Sequence, residues 1–146
     1  MKISESFCKY VGKVFPIEEC PFALEGNSIT THLDGCKSIL VCSATLGESF
    51  DRLLRRVQLE SMSEALLLDR EASKLIEKFC NEKDSQILRG FNHVTARYSP
   101  GYGDFPLSAN RSIIQALGAS TKIGLCVTDD YILTPQKSIT GIVGLR

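Results

Sequence analysis

The chain has 146 residues, 43% hydrophobic and 23% charged, which suits one soluble domain with a true core. Seventeen Lys and Arg balance seventeen Asp and Glu, so no net field favours nucleic acid or an anionic membrane. The apolar stretches, such as Ala65 to Leu68, fall far short of the ~20 residues of a membrane span. The amino-terminal MKISESFCKYVGK lacks the apolar block of a secretory signal, and a cytoplasmic protein with no nucleic-acid or membrane partner is expected.

In chain order, Ser28 to Ala44 reads as two short strands about the Asp34-Gly35 dipeptide, a tight-turn signal. The second of these, Ser38 to Ala44, is almost continuously apolar and should be an interior strand. Thr45-Leu-Gly-Glu48 has the form of a capping box. The helix that follows carries Phe50, Leu53, Leu54 and Val57 on one face, with Arg52, Arg55 and Arg56 on a solvated opposite face. Ser61-Met-Ser-Glu64 repeats the capping pattern. It opens a long helix through Ala65, Leu66, Leu68, Ala72, Leu75, Ile76 and Phe79, expected to end near Cys80 and to be well buried. Val94 to Tyr98 suggests a strand. Ser99-Pro-Gly-Tyr-Gly-Asp-Phe-Pro106 must be irregular, with two prolines and two glycines in eight residues. Ser108 can cap a short helix bearing Ile113, Ile114 and Leu117, closed by Gly118. Strands at Lys122 to Thr128 and Ser138 to Leu145 complete the chain. The order predicts a single α+β domain: a largely antiparallel mixed sheet, with helices packed against it and strands from both ends of the chain.

Catalytic signatures are sparse. The six cysteines, Cys8, Cys20, Cys36, Cys42, Cys80 and Cys126, are scattered with no C-x-x-C, which argues for reduced, mostly buried thiols and against a metal site. His32 and His93 are the sole histidines. The first is expected as a hydrogen-bonded partner in a strand, the second as exposed. No G-x-S-x-G elbow, Walker loop or G-x-G-x-x-G fingerprint is present.

Arg97-Tyr-Ser-Pro-Gly-Tyr102 is the informative stretch. An arginine offers a planar fork for a carboxylate. Pro100-Gly101 lets the backbone approach a ligand closely, and Tyr102 presents a flat ring with a polar tip. Together they suit an amino-acid-like ligand beside a large planar partner; equally, they suit a structural corner with Arg97 in a surface ion pair.

The stretch from Arg97 to Pro106 resembles the R-x-x-P-G-Y-x-x-x-P motif of the activation (S-adenosylmethionine-binding) domain of cobalamin-dependent methionine synthase. Thr128-Asp-Asp-Tyr-Ile-Leu-Thr-Pro-Gln-Lys-Ser-Ile-Thr-Gly141 is similar, without a gap, to that family's T-E-S-F-x-M-x-P-x-x-S-V-S-G segment. Ala44-Thr-Leu-Gly47 with Asp51-Arg-Leu-Leu54 is like the A-T-[IL]-G…D-R-L-I run of stand-alone versions. The likeness covers residues 38–145, leaving 1–37 as a divergent amino-terminal part.

The resemblance implies a component of methionine biosynthesis that reactivates a cobalamin-dependent methyltransferase. It would bind S-adenosylmethionine and present its methyl group to reduced cobalamin on a partner, either the cobalamin-binding module of methionine synthase or another corrinoid protein. A flavodoxin-like donor would supply the electron. By position, Arg97 would bind the ligand carboxylate and Tyr102 would face the corrin as the catalytic group. Pro100 and Gly101, with Ser138 and Gly141, would shape the pocket. Asp104 would hold the ligand through its main chain, as would Val143 and Gly144, while Asp129 and Asp130 would be structural. The family's amino-terminal W-T-P-F-F segment, with its neighbouring acid, has no counterpart in Lys13 to Glu19. Phe91 stands where a glutamate precedes the arginine by six residues. The length implies a separate subunit acting in trans. The competing reading is a non-catalytic module that binds S-adenosylmethionine or a corrinoid protein, or an activator of a different corrinoid methyltransferase.

Overall fold

Residues 3–146 are described by a computed structural model. The apolar run Ser38–Thr45 forms strand β2, and from Ile39 to Thr45 every residue is buried. That fits a strand covered on both faces. Strand β1 (Lys9–Pro16) and strand β5 (Ser138–Leu145) flank it, both antiparallel, in the order β1-β2-β5. The strand pairing brings Gly12, Cys42 and Gly141 into one row across the sheet. β1 is absent from the strands expected from sequence, because Gly12 and two lysines interrupt its Tyr, Val and Phe residues.

Side chains alternate across β2, and two cores result. Leu40, Cys42 and Ala44 face helices α2 (Glu48–Glu60) and α3 (Met62–Ile87). Ile39 and Val41 face helix α1 (Asn27–His32), helix α4 (Ala109–Leu117) and helix α5 (Ala119–Ile123), with Phe105 among them. Each fully buried large apolar side chain contributes roughly 1.5–3 kcal/mol. The α+β class, with a sheet between helical layers, is as expected.

Several elements differ from expectation. Asn27–His32 is a helix, not the first arm of a hairpin. Its amino terminus is closed by Asp104, whose carboxylate accepts from Asn27 N and Ser28 N, both at 2.7 Å. That partner lies more than seventy residues away and overrides the strand preference of Ile29-Thr30-Thr31. The Thr45–Glu48 capping box does not form: Gly47 is the N-cap of α2, while Thr45 Oγ1 accepts from Gly47 N and from Ser138 Oγ. The second box is half realised, with Ser61 Oγ accepting from Glu64 N at 3.3 Å.

α3 continues past Cys80 to Ile87 and buries only one seam, Leu68, Ala72, Ile76, Cys80 and Asp84, spaced by four. Leu66 and Leu67 are 64% and 59% exposed, so this helix is not buried on several sides. Lys122 to Thr128 is mostly not strand. α5 ends at Gly124 in the left-handed region, and Cys126–Val127 (β3) pairs with Leu133–Thr134 (β4) in a separate two-stranded sheet. Val94 to Tyr98 makes only isolated bridges to Leu145 and Ile142, covering the outer edge of β5.

Candidate functional site

The loop after Tyr98 is held by its own backbone. Gly101 N donates to Phe105 O at 2.9 Å and Phe105 N to Tyr102 O at 3.0 Å, and the Phe105 ring is anchored in the core. Gly101 has φ +95°, a value that favours glycine. Ser99 Oγ donates to Thr140 O at 2.7 Å, tying the loop to β5. Tyr98 Oη donates to Tyr102 O at 3.3 Å. Tyr102 is therefore carried on a stiff support while the residue itself stays 64% exposed.

Two depressions flank it. One, of about 300 Å³, lies between the Ser99–Tyr102 turn, Asn110, Leu133 and the Ser138–Thr140 start of β5. The other, of about 710 Å³, is lined by His32, Asn81, Arg97, Tyr98 and Gly103. Glu77, Ser99 and Tyr102 border both, so the tyrosine stands on the ridge between the two, which together form the groove.

Arg97 forms part of the groove wall, with a side chain only 12% exposed. Its aliphatic stem lies across Gly141, where an added Cβ would meet Arg97 Cγ and, at 2.7 Å, Cδ. Nη1 donates to Asp84 Oδ2 and Asn81 Oδ1, both at 3.0 Å, and to Cys80 Sγ at 3.3 Å. Nη2 donates to Glu77 Oε2 at 2.5 Å. The Nε–H makes no hydrogen bond among the described residues. Burial alone would lower the guanidinium pKa, but the neighbouring Cys80, Cys42, Glu77 and Asp84 together hold it above its ordinary value.

Beneath Arg97 lies a polar niche at the end of the apolar seam of α3. Asp84 Oδ1 accepts from Tyr10 Oη at 2.5 Å, and its Oδ2 accepts from Cys42 Sγ at 3.6 Å and Cys80 Sγ at 3.9 Å. The Tyr10 phenol crosses Gly12, where an added Cβ would come within 2.9 Å of its Cζ. Burial, then the bond to Asp84, pushes the Tyr10 phenol well up. The hydrogen bond with Cys80, then burial, does the same for Cys42.

The structure brings Arg97, Pro100, Gly101, Tyr102 and Ser138 to the groove, with Gly141 under the Arg97 stem. It does not bring Val143, Gly144 or Asp104 there. Val143 is buried opposite Leu40, and Gly144 exchanges its main-chain bonds with Thr95. Asp104 N donates to Ser28 Oγ at 3.1 Å, and its carboxylate caps α1. Asp129 and Asp130 are exposed in the turn between β3 and β4. His32, in a helix rather than a strand, donates from Nε2 to Ala96 O at 2.7 Å, and His93 is exposed. Sequence reading misses Glu77, Asn81 and Asp84. Asp84 had a visible signal, a carboxylate in the fifth place of an apolar seam spaced by four.

A three-stranded antiparallel sheet lies between helical layers, with a Pro-Gly loop stapled to its last strand, which is an α+β fold. The chain is similar to the crystal structure of the MetH reactivation domain bound to AdoHcy, with a TM-score of 0.65 and 17% identity. The match covers 73% of this chain and 39% of that one, so this chain spans about two-fifths of that structure's length. The likeness is one of fold. No family model and no curated protein matches the sequence.

Proposed function

We propose that the chain binds S-adenosylmethionine in the groove beside Tyr102 and presents its methyl group to a reduced corrinoid on a partner, reactivating a cobalamin-dependent methyltransferase such as methionine synthase. The observation that carries this reading is the exposed Tyr102, fixed on a self-bonded loop between two depressions. The fold shared with a reactivation domain supports it. The depressions fall within the ~300–1,000 Å³ usual for ligand sites, and Arg97 and Glu77 bring charges of both signs to the larger one.

The ligand's α-amino-acid end meets the Arg97–Glu77 pair. Glu77 is 56% exposed while Arg97 is only 12% exposed, so water already solvates and screens the carboxylate half of the pair. A zwitterion separates it at little cost, its carboxylate bonding Arg97 and its ammonium bonding Glu77. Glu77 thereby takes the place of the acid that the amino-terminal segment and Phe91 do not supply. Tyr102 lies against the corrin, and the stiff loop sets the distance. Transfer breaks the sulfonium S–CH3 bond, sulfur keeping the electron pair, while the reduced cobalt of the partner's corrinoid supplies the pair for the new bond. Placement at ~3–3.5 Å is the main demand, and no general base is required. The electron donor is flavodoxin-like and the setting cytoplasmic.

The test combines the chain, an oxidised corrinoid carrier protein, a one-electron reductant and S-adenosylmethionine labelled in its methyl group. Label on cobalt is expected; binding without label leaves the non-catalytic module, and no binding sinks both readings. Arg97→Ala is expected to weaken ligand binding by ~1.5–3 kcal/mol in calorimetry. Glu77→Gln should weaken S-adenosylmethionine but not an analogue lacking the amino group.

A further inference from the structure

We propose that Cys42, Cys80 and Asp84 form a binding site for one thiophilic divalent cation, zinc foremost, directly beneath Arg97. Spacing along the chain gives no hint of it: one thiol comes from β2, the other thiol and the carboxylate from successive turns of α3. The three donor atoms lie within 4.8 Å of one another, and all three residues are buried. With Zn–S near 2.3 Å and Zn–O near 2.1 Å, a tetrahedral site has an S···O edge of about 3.6 Å. The two S···Oδ2 separations, 3.6 and 3.9 Å, already stand at that edge.

The niche is built for polar occupants. Gly12 and Gly141 sit on either side of Cys42 in one row of the sheet, and their missing side chains admit the Tyr10 phenol and the Arg97 stem. Tyr10 Oη holds Asp84 Oδ1, leaving Oδ2 toward the sulfurs. This is the outer-shell bond that orients a ligating carboxylate. Both sulfurs lie within reach of the same Oδ2, and Cys42 Sγ also lies 3.5 Å from Gly141 O, so the cation enters between the two sulfurs and Oδ2.

The exchange balances. Two thiols release two protons to solvent and become thiolates as one dication binds, and the net charge of the cluster with Asp84 and Arg97 is zero before and after. Arg97 then donates to anionic ligands, at 3.3 Å to Cys80 Sγ and 3.0 Å to Asp84 Oδ2, which offsets the excess charge of a Cys2Asp set. Three protein ligands leave the fourth position to water or a small anion, as in open rather than closed zinc sites. Arg97 and Asn81, bonded to each other, stand between the niche and the 710 Å³ depression, and the proposal takes that side as the entry. The proposal stands independently of the bound methyl donor.

Cobalt(II) titrated anaerobically into the reduced full chain is the test. One equivalent is expected to give thiolate-to-cobalt charge-transfer absorption with the visible bands of a tetrahedral site, bleached by zinc. Affinity should rise with pH, because binding displaces protons. Cys80→Ser and Cys42→Ser should abolish the bands, while Cys126→Ser, at an exposed thiol, should keep them. Tyr10→Phe should weaken cobalt ~10–100-fold as an outer-shell change. If the wild-type chain gives no charge-transfer band, or if the band survives both Cys42→Ser and Cys80→Ser, the proposal is overturned. An absent wild-type band overturns the proposal without any variant; where a serine variant fails to fold, the weakening by Tyr10→Phe against the unchanged Cys126→Ser places the band at this cluster, and equal affinity in Tyr10→Phe overturns it.

Discussion

Arg97 is held from below by Asp84 and from the side by Glu77, and these two contacts are unequal. Asp84 is 4% exposed, so Asp84→Ala leaves a buried guanidinium without its inner partner. Loss of one member of a buried pair costs about 3–5 kcal/mol, and chemical denaturation should show it. Glu77→Gln should change stability by at most ~1 kcal/mol, while altering ligand affinity as described above. Gly141→Ala places a methyl group into the Arg97 stem. Overpacking of this kind costs ~1–3 kcal/mol, and the displaced arginine should also lose its ligand; thermal unfolding and calorimetry on one sample separate the two effects.

α1 depends at the element scale on a carboxylate from the opposite end of the groove loop. The Ser28 hydroxyl, then the main-chain N–H groups of Ser28 and Asn27, hold the Asp104 carboxyl down to about 2, against ~3.9 for an unperturbed aspartate. A carboxyl that is more acidic folded than unfolded stabilises the fold above the unfolded value. That contribution disappears as the pH falls toward the folded value. Stability curves of the wild type and Asp104→Ala should therefore differ at neutral pH and converge below pH ~4. α3 makes a different point. Leu68→Ala, in its buried seam, should cost ~2–5 kcal/mol, whereas Leu66→Lys, on its exposed face, should stay within about 0.5 kcal/mol.

For the molecule as a whole, β2 is the common wall of both cores and is paired along its length on both edges. Amide exchange should be slowest there. It should be fastest in the segment from Gly124 to Gln136, whose two short strands pair only with each other. Foldons of this kind follow buried contacts and ladder bonds.

Where local pattern and burial agree, the elements were legible from sequence. β2 and β5 are apolar runs, α2 has helical spacing, α4 ends at Gly118 in the left-handed conformation, and the loop from Ser99 to Pro106 is dictated by its prolines and glycines. The motif residues around Tyr102 were legible for the same reason, because a stiff loop is written in adjacent letters. The folded chain alone settled the state of Asn27–His32, the length of α3 past Cys80 and the surroundings of Arg97. In each of these cases the deciding partner lies far along the chain: Asp104 for the helix cap, the sheet for the polar end of α3, Glu77 and Asp84 for the guanidinium. Periodicity records which face of an element is apolar, but a hydrogen bond or an ion pair between distant residues exists only once the sheet and helices have brought them within about 3 Å.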